Sequence, residues 1–186
     1  MTPTVENILT VYRRASQEQV IAGTNWYPDA RNLALELDPT NLRRAAGEIA
    51  AFSPRMPWWR NSVLATRLFE TGIATGSTKN FNATAQKVFD GADPLEILGL
   101  KTRNFYLNII DPWNPEPITI DAHAVDIAIY NRLGTGGRPG LTPKRYAEFS
   151  DTYREAALQF NLLPNVMQAI TWVTWRDSKD NVLDNS

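Results

Sequence analysis

The stretch from Asp93 to Asp126 constrains the fold of this chain more than any other part of the sequence. Asp93 precedes Pro94, which is the pattern of a helix N-cap followed by a residue already set for the first helical turn. Gly99 interrupts the pattern, and a second helix is predicted to begin near Lys101. Two helices joined by so short a break predict a helical hairpin.

A loop, a brief apolar run and a third helix follow the hairpin. The loop spans 111–117 and is broken by prolines, and the apolar run is Ile118 to Ile120. Asp121 then stands at the predicted N-cap of the helix AHAVDIAIYNRL. Lys101 and Asp121 therefore flank one helix and one loop.

The rest of the chain also has helical periodicity. Apolar residues recur at helical spacing on both sides of the hairpin, whereas no strand is predicted beyond Ile118 to Ile120. The predicted fold class is therefore all-α, with a turn at Gly23 to Pro28 and a glycine-rich loop after Leu133. The predicted helices cover about 4–19, 29–37, 39–52, 62–72, 80–90, 142–160 and 164–176.

The composition limits the chemistry that this chain can perform. Of its 186 residues 43% are hydrophobic, which is enough for the core of one domain or of two small lobes. The chain has no cysteine and one histidine, so disulfides, thiolate catalysis, cysteine-ligated clusters and multi-histidine metal sites are excluded. Catalysis would use carboxylates, lysine, hydroxyls or bound water, and we expect no cofactor and no metal.

Charge and hydropathy bear on the partners and the location. A net charge of −1 counts mildly against a nucleic-acid binder, although it leaves room for a local basic face. No apolar stretch approaches about 18 residues, and the first residues carry neither a basic nor an apolar segment. We therefore expect no membrane partner, no secretory signal and a cytoplasmic location.

Lys101 and Asp121 suit the cleavage of a glycosidic C–N bond. A lysine in the first turn of a helix feels the positive end of the dipole, which disfavours its own charge and favours an amine nucleophile. A carboxylate at a helix N-cap is held as an anion by the N–H groups it accepts, and it can stabilise positive charge on a sugar ring. The alternative is that Asp121 is only a cap, worth about 0.5–2 kcal/mol, and Lys101 only a solvated helix residue.

The segment SPRMPWWRN, residues 53–61, joins two helices with an unusual concentration of arginine and tryptophan. Trp58 and Trp59 point about 100° apart if they are helical, so one at most faces a pocket and the other belongs to the core. The nearby cations form either a local phosphate-binding face or a set of scattered surface charges. They are Arg55, Arg60, Arg67, Lys101 and Arg103.

Two further ionisable residues have more than one interpretation. His123 follows Asp121 by two positions and is either a catalytic histidine or a structural one. Glu48 lies on the helix before residues 53–61, and it either presents a second carboxylate to the same site or is a surface charge on an amphipathic helix.

The pattern LGLKT…FYLNI…ITIDAHAVDIA resembles the core of the helix-hairpin-helix (HhH-GPD) DNA glycosylase superfamily, and FYLNI is similar to its 8-oxoguanine glycosylase branch, without an iron–sulfur cluster. The resemblance covers about 41–133 and implies two helical lobes around a cleft. Lobe A would comprise about 1–38 with 142–186, and lobe B about 39–133 with the hairpin 93–110. Gly99 stands alone where the family has two glycines, which marks a divergent member such as a phage-encoded one.

The resemblance also implies roles for individual residues. Lys101 takes the place of the family's Schiff-base lysine and Asp121 that of its catalytic aspartate. Arg55 or Met56 would be the side chain that fills the space left by a flipped base. The implied substrate- and DNA-binding residues are Ser53, Arg55, Met56, Trp58, Arg60, Gly99, Thr102, Arg103 and His123.

The predicted function is therefore a DNA N-glycosylase, with or without AP-lyase activity, that acts as a monomer on double-stranded DNA with a flipped base. One alternative keeps the fold and makes the chain an enzyme of viral hypermodified-thymidine metabolism, acting on a modified nucleotide. A second alternative is a non-catalytic protein that binds DNA or inhibits a partner protein.

Overall fold

A computed structural model describes residues 2–133 and 140–178, and within them the chain forms ten helices and no strand. The all-α prediction is therefore confirmed, while most of the predicted glycine-rich loop lies outside the described residues. No helix in the described ranges is both long and apolar enough to cross a membrane. The helices are α1 Val5–Tyr12, α2 Gln17–Leu37, α3 Leu42–Phe52, α4 Trp58–Thr71, α5 Lys79–Phe89, α6 Pro94–Ile97, α7 Leu100–Ile110, α8 Ala122–Ile129, α9 Pro143–Leu158 and α10 Pro164–Asp177.

The chain divides into two compact units. Unit 1 comprises residues 1–26 and 113–186, and unit 2 comprises residues 27–112. The predicted lobes differ from these units in two stretches, because 27–38 belongs to unit 2 and 113–133 belongs to unit 1.

In unit 1, helices α1, α8, α9 and α10 pack around one hydrophobic core. The apolar run Ile118 to Ile120 enters this core as extended chain instead of as a strand. The Tyr146 hydroxyl holds the run, since it donates to the Ile118 carbonyl at 2.7 Å and accepts from the Ile120 N–H at 3.0 Å. These bonds fix the backbone immediately before Asp121.

In unit 2, helix α3 lies at the centre and packs against α4, α5 and α7. Every residue from Ala45 to Phe52 is buried, so this helix has no solvent-facing side along most of its length. Gly47 allows the close approach of its neighbours, because a Cβ there would lie 2.7 Å from Pro94 and 2.8 Å from Val88.

The predicted turn at Gly23 to Pro28 is wrong, because α2 continues through it. A Cβ at Gly23 would lie 2.4 Å from the Ile170 Cα, so this glycine serves helix packing within unit 1. The predicted first helix is two helices, and α2 begins with a capping box between Ser16 and Gln19, at 3.0 and 3.2 Å. Tertiary contact and local capping thus outweigh the turn-forming tendency of the glycine and the proline.

Candidate functional site

The two helices of the predicted hairpin are present in unit 2 as α6 and α7. The Asp93 carboxylate caps α6 by accepting from the Leu95 N–H at 2.9 Å, and the chain is extended at Leu98 before α7 begins. Arg103 donates to the Leu98 carbonyl at 3.3 Å, which ties α7 back to the break. Lys101 and Thr102 lie in the first turn of α7 and are half-buried, as is Arg103.

Gly99 is the N-cap of α7, and nothing inside the protein requires a glycine there. Its φ angle is −65°, which any residue adopts, and a Cβ would meet no atom within 4 Å. It is exposed and offers no side chain to cap the first N–H groups of the helix. The backbone at this turn is therefore open to close approach from outside the chain.

Asp121 lies in unit 1 and is the N-cap of α8, as predicted. Its Oδ1 accepts from the Ala124 N–H at 2.8 Å, and the side chain is half-buried. No hydrogen-bond donor in the described part of the chain reaches Oδ2. One oxygen fixes the carboxylate, and the other accepts no hydrogen bond from the described residues.

An aromatic cluster adjoins this cap in unit 1. The half-buried ring of His123 stands edge-on to Trp172, with centroids 6.4 Å apart, and Trp172 lies 4.8 Å from Trp26. The Arg176 guanidinium lies 4.5 Å over the Trp172 ring. The His123 Nδ1 atom has no hydrogen-bond partner within 2–133 and 140–178. The sequence predicted a turn at Trp26, because the close contact between Gly23 and Ile170 is not visible in it.

The segment 53–57 forms a tight turn in unit 2, closed by a bond from the Met56 N–H to the Ser53 carbonyl at 3.2 Å. Arg55, at its tip, is exposed and has a φ angle of +58°, a left-handed conformation that disfavours side chains. Met56 and Ser53 are half-buried, and the Ser53 hydroxyl has no hydrogen-bond partner in the described residues.

Neither tryptophan of this segment belongs to the core. Trp59 is 68% exposed and Trp58 is half-buried. The prediction that one of them packs inside is wrong, because α4 turns a different face inward, that of Asn61, Leu64, Ala65 and Leu68.

A groove of about 640 Å³ opens beside this turn in unit 2. One wall is the turn and the first residues of α4, and the other is the loop before α5 with its first turn. Its lining is Pro54, Arg55, Met56, Pro57, Arg60, Gly76, Ser77, Thr78, Asn80 and Phe81. The sequence indicated residues 53–61 as a candidate binding segment, but it gave no indication of residues 76–81.

Glu48 is fully buried, at 0% exposure, so neither sequence interpretation of it holds: it is not a surface charge, and it faces no opening. Its carboxylate makes no hydrogen bond within the described ranges, and its nearest cation is Arg44, 3.9 Å away. Arg44 itself is bound to Asp38 through two hydrogen bonds of 3.0 and 2.7 Å. The carboxyl group lies inside unit 2 because α3 is enclosed on all sides.

The predicted site residues fall in two groups. Lys101, Gly99, Thr102 and Arg103 of the hairpin lie in unit 2, as do Ser53, Arg55, Met56, Trp58 and Arg60 of the connecting segment, whereas Asp121 and His123 lie in unit 1. No group of three or more acidic, histidine or cysteine side chains suited to a metal ion occurs in the ranges that the structure describes.

The fold is thus an all-α one that carries a helical hairpin and a capping aspartate followed by histidine. The chain belongs to the family of unknown function DUF7178, whose model matches residues 1–179. No curated protein and no solved structure matches it.

Proposed function

We propose that this protein is a DNA N-glycosylase with a glycosylase-like, two-lobed helical fold, which flips a modified or damaged base out of the duplex and cleaves its glycosidic bond. The observation that carries the proposal is the Asp121 carboxylate. Its Oδ1 atom accepts from the start of α8, and its Oδ2 atom has no hydrogen bond among the described residues. The backbone directly before it is fixed by the Tyr146 hydroxyl. The sequence resemblance around Lys101 and Asp121 supports the same assignment.

In this proposal Asp121 acts by charge and Lys101 by bond formation. The bond between C1′ and the base nitrogen breaks, and the base leaves with the electron pair and takes up a proton. Asp121 stabilises the positive charge that develops on the sugar. The neutral amine of Lys101 attacks C1′ and loses a proton, and opening of the sugar ring gives a Schiff base. Lys101 lies in the first turn of α7, where the helix dipole is positive.

Covalent trapping tests the role of Lys101. Borohydride added during turnover of a lesion-containing duplex should reduce the Schiff base and link the wild-type protein to DNA, while Lys101→Ala should give no linked product. Lys87→Ala, which removes an exposed lysine from the last turn of α5, is the matched control and should trap like the wild type. If Lys101→Ala traps equally well, the assignment of the nucleophile is wrong.

Gly99→Ala tests whether DNA approaches the hairpin backbone. A Cβ has free space there, and the poorer N-cap and the stiffer unfolded chain act in opposite directions by about 0.5–1 kcal/mol each, so stability should hardly change. Affinity for duplex DNA should fall about tenfold, which corresponds to about 1.4 kcal/mol. Melting curves and equilibrium binding measure the two quantities.

Gly140→Ala is the matched control, because Gly140 is also exposed with no atom within 4 Å of a Cβ. It should leave both stability and affinity unchanged. Wild-type affinity in Gly99→Ala would show that DNA does not contact this turn.

A further inference from the structure

We infer that the groove between residues 54–60 and residues 76–81 binds a single DNA strand. The inference rests on the proposed function, since the turn that forms one wall is the segment that would enter the duplex beside the flipped base. It adds a second segment, the loop before α5 and the first turn of that helix, to the DNA-binding surface of the protein.

The charge of the groove favours a polyanion. Its lining includes Arg55 and Arg60 and no acidic residue. Arg67 reaches the same loop, its Nη1 lying 3.7 Å from the position of a Cβ on Gly76, and Lys79 is exposed in the first turn of α5. In the described residues none of these four cations forms an ion pair, whereas two other arginines of unit 2, Arg43 and Arg44, face Asp93 and Asp38. On a chain with a net charge of −1, unpaired cations gathered at one groove produce a local positive field.

The walls of the groove are fixed before any ligand arrives. Arg60 donates to the Gly76 carbonyl at 3.0 Å and so joins the two walls. The Asn82 side chain holds Ser77 by two bonds of 3.1 Å, one to its N–H and one to its carbonyl. Gly76 has a φ angle of +86°, and a Cβ there would lie 2.7 Å from Leu64, so this turn requires a glycine. A preformed groove loses little conformational entropy on binding.

The shape and chemistry of the lining favour a single strand over an acidic peptide. The side chains of Met56, Phe81 and two prolines add apolar surface to the lining of the groove, beside its two arginines. Alternation of cations with apolar and aromatic surface is how proteins hold unpaired strands, with phosphates on the cations and bases against the apolar groups. An acidic peptide would use the cations and leave the apolar surface uncovered.

Arg55 adds an independent indication. Holding a residue other than glycine in the left-handed region costs about 1–2 kcal/mol, and the Arg55 side chain is exposed, so no packing inside the protein accounts for it. Non-glycine residues in such conformations cluster at binding sites. A role in binding would explain this strained backbone, because the conformation would direct the Arg55 guanidinium toward a ligand in the groove.

The test is the binding of a fluorescent oligothymidine to the full chain, followed by anisotropy over a salt series. Arg55→Gly removes the cation and suits the positive φ, so the variant should melt at or above the wild-type temperature. Its affinity should fall several-fold, and the slope of log affinity against log salt should shrink by about 0.7 for one lost phosphate contact. Arg60→Gln should lower the affinity and the salt slope in the same way, and Lys87→Ala, at the opposite end of α5, should change neither quantity.

The outcomes separate this inference from the proposed function. Weakened binding in Arg55→Gly and Arg60→Gln, with Lys87→Ala intact, supports the groove whether or not the wild type releases a base. Absence of base release from every duplex tested counts only against the proposed function. Equal binding by all four proteins overturns the inference. Polyglutamate that binds with the same dependence on Arg55 and Arg60 also overturns it, in favour of an acidic protein ligand.

Discussion

Asp121→Asn is expected to slow base release by roughly a hundredfold to a thousandfold while the protein remains folded. Asparagine caps a helix as well as aspartate does, so the bond to the Ala124 N–H and the start of α8 should persist. The negative charge that would stabilise the sugar cation is lost. Removal of one such electrostatic contact lowers the rate of catalysis by roughly a hundredfold to a thousandfold. Single-turnover release of the base from a lesion-containing duplex measures the rate, and circular dichroism measures the fold.

Asp93→Asn is the matched control for this substitution. Asp93 also caps a helix, accepting from the Leu95 N–H at 2.9 Å, and it also loses one charge on substitution. It should release base at the wild-type rate. If Asp121→Asn retains full activity, both enzymatic functions are excluded and a non-catalytic DNA- or protein-binding role is favoured.

The choice of substrate separates the two enzymatic functions. Release of a damaged base from lesion-containing oligonucleotides would support a repair glycosylase. Activity on hypermodified thymidines, with none on lesion-containing oligonucleotides, would instead support the viral modification enzyme. Two features of this hairpin, the single Gly99 and the short helix α6 of four residues, would fit a substrate that differs from those of repair glycosylases.

Helix boundaries that depend on short-range capping could be predicted from the sequence. Asp93 and Asp121 each cap a helix where the sequence placed a cap, because the bond joins residues two or three positions apart. The start of α3 was predicted too early, after Asp38 and Pro39. Asp38 instead accepts from Thr40 and closes a turn, and α3 begins only after the cap at Asn41.

Features that depend on distant residues could not be predicted in this way. Gly23 has the local signature of a turn, and only the contact with Ile170 makes it part of a helix. The Arg60 bond to Gly76, which joins the walls of the groove, links positions sixteen residues apart through a loop with no characteristic motif. The sequence therefore identified the turn with Arg55 and not the surface opposite to it.

Glu48 is the clearest failure of an argument from periodicity. Helical spacing places the apolar residues of α3 on one face, and it predicts that Glu48, on the opposite face, is exposed to solvent. The helix is surrounded by α4, α5 and α7, so the opposite face is buried as well. A charged residue on a helix that is enclosed on all sides must find a partner or hold a proton, and that requirement leads to a measurable property of the protein.

The burial of Glu48 is compensated only in part. The guanidinium of Arg44 lies over the rings of Phe69 and Phe89, 5.8 and 5.3 Å from their centroids, and it donates to Asp38. Burial opposes ionisation of Asp38, but the hydrogen bonds from Thr40 and Arg44 and the charge of Arg44 outweigh it, so the pKa of Asp38 is lowered. For Glu48 burial dominates, the charge of Arg44 opposes it and that of Asp38 adds to it, and together they raise the pKa of Glu48 from 4.5 to about 7.

Glu48 should therefore make the protein less stable as the pH rises from about 4.5 to about 7. Between these values the unfolded chain has released the proton that the folded protein still holds, so each increase in pH favours unfolding. Above about 7 both states are ionised and this contribution becomes constant. The pKa difference corresponds to about 3 kcal/mol at most, since one pKa unit is worth about 1.4 kcal/mol.

Glu48→Gln should remove this dependence. The amide is neutral at every pH, so the variant should match the wild type near pH 4, below the pKa of the unfolded chain, and exceed its free energy of unfolding by up to about 3 kcal/mol at pH 8. Urea unfolding at a series of pH values measures the difference between the two proteins, in which the titration of all other groups cancels. Glu70→Gln, an exposed position on α4 of the same unit, is the control and should follow the wild type throughout. If the free energies of unfolding of the wild type and Glu48→Gln instead change in parallel with pH, Arg44 neutralises the buried carboxylate fully. Asp38, Arg44 and Glu48 would then form a complete ion network, and Glu48 would not bind a proton near neutral pH.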